Sequence, residues 1–382
     1  MVLLKTGKWV FLAVGSVCNF LRSELVIVGF TAIDLFAGCG GLSEGIRTAG
    51  FDVLAAVEIN EFAVEAYRIN HTHTSLFRKD IRTLDPEDIK DVLDGRTLHL
   101  LAGCPPCQGF SSIRRLNRKA PVDDDRNDLI LEYLRFVKAL EPVTIMMENV
   151  PGIIDFHLFK QVHAELSEMG YQIDFDVVDV ADYGVPQRRK RFVMVGSRLG
   201  PVKIARGNGI RRTVRDVIGN LYRSFLEKDP INDIYPRHTV RINEMIKRIP
   251  KDGGSRRDLP DEYILNCHRK DKVGFNDVYG RLKWDDVSST ITGGCLNPSK
   301  GRFLHPQEDR CITAREAALL QTFPFDYKFP TNIPKGALAL MIGNALPPLF
   351  SEVQSRHIFS HLAQFGDFVS ETKEQNKYAL NG

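Results

Sequence analysis

Residues 34–45 of the sequence read Asp-Leu-Phe-Ala-Gly-Cys-Gly-Gly-Leu-Ser-Glu-Gly, at the point where an apolar run changes into a helical pattern. The glycines allow the backbone to turn tightly and to approach a ligand closely. Free N–H groups at the start of the following helix favour an anionic group, such as a pyrophosphate or the carboxylate of a methionine moiety. The stretch therefore predicts a strand, a glycine loop and a helix that bind a nucleotide-type ligand, but the spacing alone does not choose the ligand.

Short apolar runs alternate with helical patterns around this loop, from residue 31 to about residue 192. Such alternation is typical of an α/β protein with a doubly wound, mostly parallel sheet that carries helices on both faces. The predicted strands are 33–36, 53–57, 98–102, 143–147, 175–180 and 192–195, and the predicted helices include 62–69 and 129–140.

The pattern changes near residue 201, where the sequence becomes basic, rich in Gly and Pro, and without a sustained period up to about residue 303. Helical patterns return at 313–321 and 335–342. We therefore predict that the α/β core is divided in two, with a smaller loop-rich domain inserted into it. The predicted boundaries are an N-terminal extension (1–30), the first core part (31–201), the inserted domain (202–303), the second core part (304–365) and a C-terminal tail (366–382).

The composition is that of an ordinary folded enzyme, with 43% hydrophobic and 26% charged residues among 382. A net charge of +3 is a weak signal, so nucleic-acid binding would have to depend on the basic clusters at 114–119, 188–191 and 206–215. Seven irregularly spaced cysteines do not indicate a disulfide framework and favour a reducing cytoplasm. The apolar run 9–18 has the length of a signal peptide but is too short to span a bilayer, so no membrane association is expected.

Two acidic residues follow apolar stretches downstream of the glycine loop. Glu58 closes the second predicted strand and is placed to accept hydrogen bonds from ribose hydroxyls. Asp80 follows a third apolar stretch and could bind the amino group of an adenine. An isolated surface acid is usually structural, but a position at a strand end after a glycine loop favours ligand binding.

Residues 103–111 read Gly-Cys-Pro-Pro-Cys-Gln-Gly-Phe-Ser and follow a predicted strand, where α/β enzymes keep their sites. A zinc site would need four ligands, and no second Cys pair exists. A redox Cys-x-x-Cys pair is possible, although such pairs do not ordinarily accompany a cofactor loop of this kind. The remaining interpretation is a catalytic thiolate, favoured by nearby cations or a helix start.

Two further segments carry charge at strand boundaries. Glu148 follows the strongly apolar stretch 143–147, where desolvation favours the protonated carboxyl and so suits proton donation. Residues 187–191 read Gln-Arg-Arg-Lys-Arg and lead into the last predicted strand, where alternation would point Arg189 and Arg191 the same way. The two arginines could then jointly hold a carbonyl oxygen or a carboxylate. Alone, each segment would also fit an ordinary turn or basic loop.

Together and in this order, these segments resemble the DNA cytosine-5 methyltransferase family of bacterial restriction-modification systems, over about residues 31–348. Residues 310–324 and the stretch Gly343-Asn344-Ala-Leu-Pro-Pro348 are similar to two further family motifs. The resemblance implies the fold of S-adenosylmethionine-dependent methyltransferases and a target-recognition domain at 202–303. It also implies S-adenosyl-L-methionine contacts at Phe36, Gly38, Gly40, Gly41, Glu58, Ile59, Asp80, Ile81, Pro106 and Asn344. Residues 1–30 have no counterpart in the family pattern.

The resemblance further implies catalysis by Cys107 rather than Cys104. Cys107 would add to carbon 6 of a flipped-out cytosine, Glu148 would serve ring nitrogen 3, and Arg191, supported by Arg189, would hold the exocyclic oxygen. The expected DNA contacts are Gln108, Ser111, Arg114, Arg115 and Arg118, and no metal is expected. We expect a cytoplasmic monomer that acts on double-stranded DNA and associates with the nucleoid through it, with a restriction endonuclease for the same site as a further partner.

Three alternatives stay open at this point. A nicotinamide-dependent oxidoreductase would share the glycine loop and the acid after the second strand, but it gives no reason for the Pro-Pro-Cys loop. A branch of the same family methylates tRNA, although the inserted domain and the Gln-Gly-Phe-Ser ending favour DNA. A DNA-binding module without catalysis is opposed by the intact Cys107, Glu148 and Arg191.

Overall fold

The computed structural model describes residues 29–106, 128–219, 228–269 and 277–365. Within these ranges seven strands form one sheet in the order β3-β2-β1-β4-β5-β7-β6. The first five strands pair in parallel, whereas β7 is antiparallel to both β5 and β6, which confirms the prediction of a mostly parallel sheet. The strands are β1 (Thr31–Leu35), β2 (Asp52–Val57), β3 (Ser75–Phe77), β4 (Leu100–Gly103), β5 (Thr144–Asn149), β6 (Gln172–Asp179) and β7 (Lys190–Ser197).

Helices cover both faces of this sheet, as the sequence pattern predicts. Those of the described part are α1 (Gly41–Thr48), α2 (Glu61–Asn70), α3 (Pro86–Leu93), α4 (Leu129–Leu140), α5 (His157–Glu168), α6 (Val214–Ile218), α7 (Val240–Arg248), α8 (Ala314–Leu320), α9 (Lys335–Asn344) and α10 (Pro348–Ala363). The helical patterns at 62–69, 129–140, 313–321 and 335–342 correspond to α2, α4, α8 and α9. The Asn60 side chain accepts the N–H groups of Phe62 and Ala63 and so caps the beginning of α2.

Two apolar layers of the core cover the sheet, one on each face. On one face α3, α4 and α5 pack through residues such as Ile89, Phe136 and Val162. On the other face α1 and α10 pack through residues such as Ile46 and Phe350. Continuous apolar strands are therefore required, since each central strand is buried on both sides.

Two strand ends differ from the sequence prediction at positions that matter for the site. Strand β5 continues through Glu148 and Asn149, because their backbone pairs with Val193 and Phe192 of β7. Strand β1 ends at Leu35, and the next residue, predicted as strand, adopts a left-handed φ of 64°. Apolarity marks where a strand is buried, whereas pairing with a partner strand determines where it ends.

The described parts of the predicted inserted domain contain α6, α7, short 3-10 turns and bridges rather than a sheet of their own. A small apolar cluster is formed by Met245, Ile246, Ile249, Leu259, Val278, Tyr279 and Leu304. Near the predicted boundary, Val202 and Ile204 pack into the same layer as α1 and α10. The domain boundaries, including those of the termini outside the described residues, stay predictions.

Residues 335–363 are long enough, and apolar enough over one 18-residue window, to cross a membrane by length and composition alone. The chain is not one straight helix there, because α9 ends at Asn344 and α10 begins at Pro348. More than half of the window is buried inside the protein, as in the core helices of globular proteins. This is weak support for a membrane span.

Candidate active site

The carboxyl ends of the parallel strands meet at one edge of the sheet, where open α/β sheets bind ligands. Strand β1 leads into Phe36 and the glycine loop, β2 into Glu58, and β4 into Cys104. Strand β5 ends at Asn149, and β7 begins at the same edge with Lys190 because it runs antiparallel. The sheet order therefore brings the described residues of the predicted cofactor loop and catalytic group to one edge.

The three glycines of the predicted cofactor loop have different surroundings. Gly38 has a φ of 57°, and no heavy atom lies within 4 Å of the position that a Cβ would take. At Gly40 a Cβ would lie only 2.5 Å from His71 Nε2 and 2.5 Å from Tyr327 Oη. At Gly41 it would lie 2.4 Å from a main-chain carbonyl between α9 and α10. Of these three, only Gly38 faces open space, whereas packing requires the other two.

Glu58 links the glycine loop to the end of β2. Its two carboxylate oxygens accept the N–H groups of Gly38 at 2.8 Å and Asn60 at 2.7 Å. Burial raises the pKa of Glu58, and these backbone hydrogen bonds oppose part of the rise. Each oxygen keeps a lone pair for a ligand hydroxyl. The neighbouring Ile59 is 61% exposed, so an apolar surface lies open beside the carboxylate. These features fit the ribose and base of a nucleoside.

The next two predicted cofactor-binding residues, Asp80 and Ile81, are less accessible to a ligand. The Asp80 carboxylate pairs with the Arg82 guanidinium, with 2.6 Å between Asp80 Oδ2 and Arg82 Nη2, and this bond lowers the pKa of Asp80. An adenine amino group at Asp80 would have to share the carboxylate with Arg82. The side chain of Ile81 is 4% exposed and belongs to the core beside α3 and α4. Its predicted contact with a cofactor is therefore restricted to the backbone.

Three other predicted cofactor residues lie at loop positions. Phe36 is half-buried against the core in its left-handed conformation, and Pro106 is half-buried at the last described position of its loop. Asn344 is exposed at the end of α9, and its Oδ1 would lie 3.8 Å from a Cβ placed on Gly293. The described structure therefore leaves Asn344 accessible to a ligand.

Glu148 and Arg191 form an ion pair at the site edge, with 2.7 Å between Oε1 and Nε. The two side chains extend from the adjacent strands β5 and β7 and are only 12% and 16% exposed. Arg191 also donates through Nη1 to the carbonyl of Lys190 at 2.8 Å. A guanidinium held in this way can present a fixed positive charge to an oxygen of a ligand.

Cys104 lies next to this pair, and Cys107 lies outside the described residues. Burial raises the pKa of Cys104 well above its ordinary value, and the negative charge of Glu148 and a hydrogen bond to it act in the same direction. Cys104 is therefore a neutral thiol at physiological pH. A thiol in this state is a poor nucleophile, which agrees with the expectation that Cys104 is not the attacking residue.

Arg189 requires a correction. Its guanidinium donates through Nη1 to the carbonyls of Ile291 at 2.8 Å and Gly343 at 3.0 Å, and through Nη2 to that of Ala345 at 3.3 Å. The side chain is 4% exposed, and its residue precedes β7 rather than lying in it. Alternation along a strand therefore does not apply, and these carbonyls take both terminal nitrogens of the group that was expected to share a substrate oxygen with Arg191, whereas its buried Nε has no hydrogen-bond partner in the described structure. Arg189 fastens the start of β7 to the end of α9.

Two buried amides within the quoted motifs were not assigned a role from the sequence. Asn149 Nδ2 donates to the carbonyl of Pro105 at 2.8 Å and so anchors the loop that leads to Cys107. Gln187 Nε2 donates to Gln321 Oε1, and Gln321 Nε2 donates in turn to the end of α9. The only sequence signal for these roles is the position of both amides beside charged motif residues.

The predicted DNA contacts at 108–118 lie outside the described residues and stay predictions. The basic clusters that the structure does describe are largely neutralised by acidic partners. An exposed pair of this kind contributes little charge to a distant phosphate. The pairs are Arg188–Asp286, Arg206–Asp176, Arg211–Asp182 and Arg215–Asp285.

Asp34, the first residue of the glycine stretch, is fully buried beneath the site. Its Oδ2 accepts the Ser43 hydroxyl at 2.6 Å, and its Oδ1 has no hydrogen-bond partner in the described structure. Burial raises the pKa of Asp34 to about 7, opposed by the Ser43 hydrogen bond and reinforced by the negative charge of Glu58. The folded protein therefore binds a proton here that the unfolded chain releases near pH 4.

This raised pKa predicts a pH-dependent effect of Asp34→Asn on stability. Since the folded pKa exceeds the unfolded one, the contribution of Asp34 is fully present below pH 4 and is lost as pH rises through 7. The variant should therefore gain stability relative to the parent between pH 4 and pH 8, by up to about 4 kcal/mol. Urea unfolding at a series of pH values measures the difference.

The control is Asp80→Asn, because Arg82 lowers the pKa of the Asp80 carboxyl. That variant should lose stability relative to the parent above the ordinary Asp pKa and regain parity in acid. A constant difference between Asp34→Asn and the parent across this pH range would contradict the prediction.

A sheet in this order with an antiparallel β7, a glycine loop after β1 and an acid after β2 defines the class of S-adenosylmethionine-dependent methyltransferase folds. Residues 30–360 match the model of the C-5 cytosine-specific DNA methylase family. The chain therefore belongs to the C-5 cytosine-specific DNA methylase family and is a DNA (cytosine-5-)-methyltransferase.

Individual relatives agree with this membership. The chain is 35% identical to the type II methylase M.HgiDII of Herpetosiphon aurantiacus over 342 residues, which cover 85% of this chain and 94% of the relative. It is 32% identical to the type II methyltransferase M1.HphI of Haemophilus parahaemolyticus, with 87% and 88% covered. The crystal structure of a DNA modification methyltransferase from an E. coli prophage superposes with a TM-score of 0.64 at 26% identity and covers 87% of this chain and 99% of that one.

Proposed function

We propose that this enzyme methylates carbon 5 of a flipped-out cytosine in a specific duplex DNA sequence through a covalent bond between Cys107 and carbon 6. The observation that carries the proposal is the Glu148–Arg191 ion pair beside the β4 loop that leads to Cys107. A desolvated acid and a fixed guanidinium are the two groups that a pyrimidine needs at its ring nitrogen 3 and its exocyclic oxygen.

The reaction starts with addition of the Cys107 thiolate to carbon 6. As the sulfur–carbon bond forms, the electron pair of the 5,6 double bond shifts through the ring, and nitrogen 3 takes a proton from Glu148, which must enter this step as the neutral acid. Arg191 stabilises the exocyclic oxygen. Carbon 5, now electron-rich, would take the methyl group from the positively charged sulfur of the cofactor, which would keep the electron pair of the broken bond and leave as a neutral thioether, and nitrogen 3 would return its proton to Glu148. A base then removes the proton from carbon 5, and the released electron pair restores the double bond and expels the thiolate.

The cofactor in this proposal is S-adenosyl-L-methionine, which supplies an electrophilic methyl group on a positively charged sulfur. The open space at Gly38, the free lone pairs of Glu58 and the exposed Ile59 fit its adenosyl part. Phe36, Asp80, Pro106 and Asn344 complete the proposed set, whereas Gly40 and Gly41 shape the loop from within. Arg189 positions the start of β7 and so acts through Arg191.

The target base lies inside the duplex stack, so the enzyme must rotate the nucleotide out at a cost of a few kcal/mol. We propose that the basic segment 111–119 contacts phosphates and that residues 202–303 read the bases. A single cytosine needs one subunit, which favours a monomer. The relatives named as type II methylases support a restriction endonuclease acting on the same site as partner, and a cytoplasmic location follows from that role.

The test of this proposal detects the covalent bond between Cys107 and carbon 6 of the cytosine. Bisulfite sequencing of DNA from a host that expresses the enzyme identifies the methylated site. A duplex with 5-fluorocytosine at that site should then trap the enzyme, because the fluorine cannot leave as a proton does, and peptide mapping should find the adduct at position 107. Cys107→Ser should abolish turnover and trapping while binding of labelled S-adenosylmethionine survives.

Three results would overturn parts of the proposal. Absence of an adduct, or an adduct at Cys104, would reject the role of Cys107. Binding of NAD in place of S-adenosylmethionine would reject the cofactor. Methylation of tRNA without methylation of DNA would reject the substrate.

A further inference from the structure

A pair of buried polar rings supports the predicted cofactor loop from beneath. The Tyr327 hydroxyl donates to the carbonyl of Cys39, in the middle of the glycine loop. His71 Nε2 lies 3.1 Å from the Tyr327 oxygen. His71 and Tyr327 are only 5% and 3% exposed, and they come from opposite ends of the chain. One follows α2, and the other follows α8.

The pair is pressed directly against the loop backbone. Gly40 has a φ of 93°, and any Cβ there would lie 2.5 Å from both His71 Nε2 and Tyr327 Oη. Its N–H donates to the carbonyl of Ala37 at 2.9 Å, which closes a turn above the pair. The backbone of the loop therefore cannot move toward the protein interior while both rings are in place.

The protonation state of the pair is determined by its surroundings. Burial, together with the positive charge of Arg47, lowers the pKa of His71 to about 4 although a hydrogen bond with the Gly40 backbone opposes the shift, so the ring is neutral at physiological pH. Because the Tyr327 proton is donated to Cys39, the Tyr327 oxygen accepts from His71. This requires the tautomer with its proton on Nε2. The hydrogen bonds therefore run in one direction, from His71 through Tyr327 to the loop carbonyl.

A second set of contacts holds the same rings in place. The Tyr67 ring stacks against His71, with 4.4 Å between centroids. The Tyr67 hydroxyl lies 2.7 Å from Ser43 Oγ. The Ser43 hydroxyl donates to the carboxylate of Asp34, near the end of β1. Asp34 at the beginning of the glycine stretch and Ser43 near its end therefore contact the same set of buried side chains as His71. A phenylalanine at 327 would keep the ring but would leave the Cys39 carbonyl and the His71 ring without this partner.

We propose that His71 and Tyr327 are positioning residues for cofactor binding. The bond from Tyr327 to the Cys39 carbonyl, with His71 bonded to the Tyr327 oxygen, fixes the loop in the shape in which Gly38 faces open space and its N–H reaches Glu58. The proposal rests on the proposed function, because the ligand of the loop is taken to be S-adenosylmethionine. A preorganised loop loses less freedom on binding, so the effect should appear in affinity rather than in the chemical step.

The test is Tyr327→Phe, which removes only the hydroxyl. Calorimetric titration without DNA should show S-adenosylmethionine and S-adenosylhomocysteine binding about tenfold more weakly, as expected for one lost buried hydrogen bond. KM for S-adenosylmethionine should rise similarly, while kcat at saturation and DNA affinity stay within twofold. His71→Phe should have the same effect, and the double variant should be no weaker than the worse single one, since both act through one contact.

The matched control is Tyr171→Phe. Tyr171 is also buried, and its hydroxyl donates to the carbonyl of Pro142, before the start of β5 and remote from the site edge. Tyr171→Phe should lower thermal stability without changing cofactor affinity. If Tyr327→Phe loses stability like the control but binds cofactor within twofold of the parent, the positioning role is rejected.

Two further outcomes are decisive. If Tyr327→Phe does not fold, His71→Phe decides by the same criterion. If the parent enzyme itself binds neither S-adenosylmethionine nor S-adenosylhomocysteine, the proposed function fails and this inference fails with it. Binding by the parent together with unchanged binding by both variants rejects this inference alone.

Discussion

Glu148→Gln is expected to lower kcat for methyl transfer by about 10²–10⁴-fold, the range associated with loss of a general acid. The amide is nearly isosteric with the carboxyl group, but it cannot deliver a proton to ring nitrogen 3. It also lacks the charge that pairs with Arg191 at 2.7 Å. Transfer of tritiated methyl groups to DNA measures the rate at saturating cofactor. Binding of S-adenosylmethionine should persist, because Glu58 and Gly38 are unchanged.

The control for this variant is Glu132→Gln on α4. Glu132 also binds an arginine Nε at 2.7 Å, that of Arg135, but on the helix surface. The Glu132→Gln variant should leave kcat unchanged, because it loses an ion pair but no catalytic acid. The comparison therefore separates the loss of an acid from the loss of an ion pair. A Glu148→Gln enzyme with a rate within threefold of the parent would remove Glu148 from the mechanism.

Arg281→Met is expected to destabilise the protein by about 3–5 kcal/mol, because it removes a buried guanidinium and takes this donor away from four main-chain carbonyls and the partly exposed Asp309. Arg281 is fully buried, and its guanidinium donates to the carbonyls of Ile246 and Ile249 at the end of α7. It also donates to the carbonyls of His305 and Glu308 and pairs with the carboxylate of Asp309. Methionine would fill much of the volume but would leave these acceptors without a donor.

Urea unfolding followed by circular dichroism measures this effect, with Lys251→Met as control. Lys251 pairs with the same Asp309 but is 37% exposed, so its loss should change stability by about 0.2–1 kcal/mol. Equal urea concentrations at the unfolding midpoint of Arg281→Met and Lys251→Met would show that the buried arginine does not stabilise the small apolar cluster around α7.

Much of the fold could be predicted from local pattern. Apolar runs with glycine or acidic residues at their ends predict strands and the loops that follow them, and the central strands were found within a few residues of those positions. Glu58 and Glu148 were singled out because each acid follows a buried strand and because the order of the motifs around them favours a site role over a structural one. Sequence reasoning did not predict that β5 includes Glu148 and Asn149, since that depends on pairing with β7.

The roles of individual side chains within the motifs were harder to predict. Arg189 and Arg191 are two residues apart and chemically equal, yet one binds main-chain carbonyls from more than 100 residues away and the other binds Glu148. The same holds for Gly38 and Gly40, where one faces open space and the other faces His71 and Tyr327.

The sequence by itself determined the class of fold, the family and the set of residues that reach one edge of the sheet, because periodicity and strand ends are local properties of the chain. Only the tertiary structure decided which arginine pairs with Glu148, which glycine borders open space and which buried rings contact the loop. Those distinctions depend on contacts between segments that are distant in sequence, and no local pattern records which segments will meet.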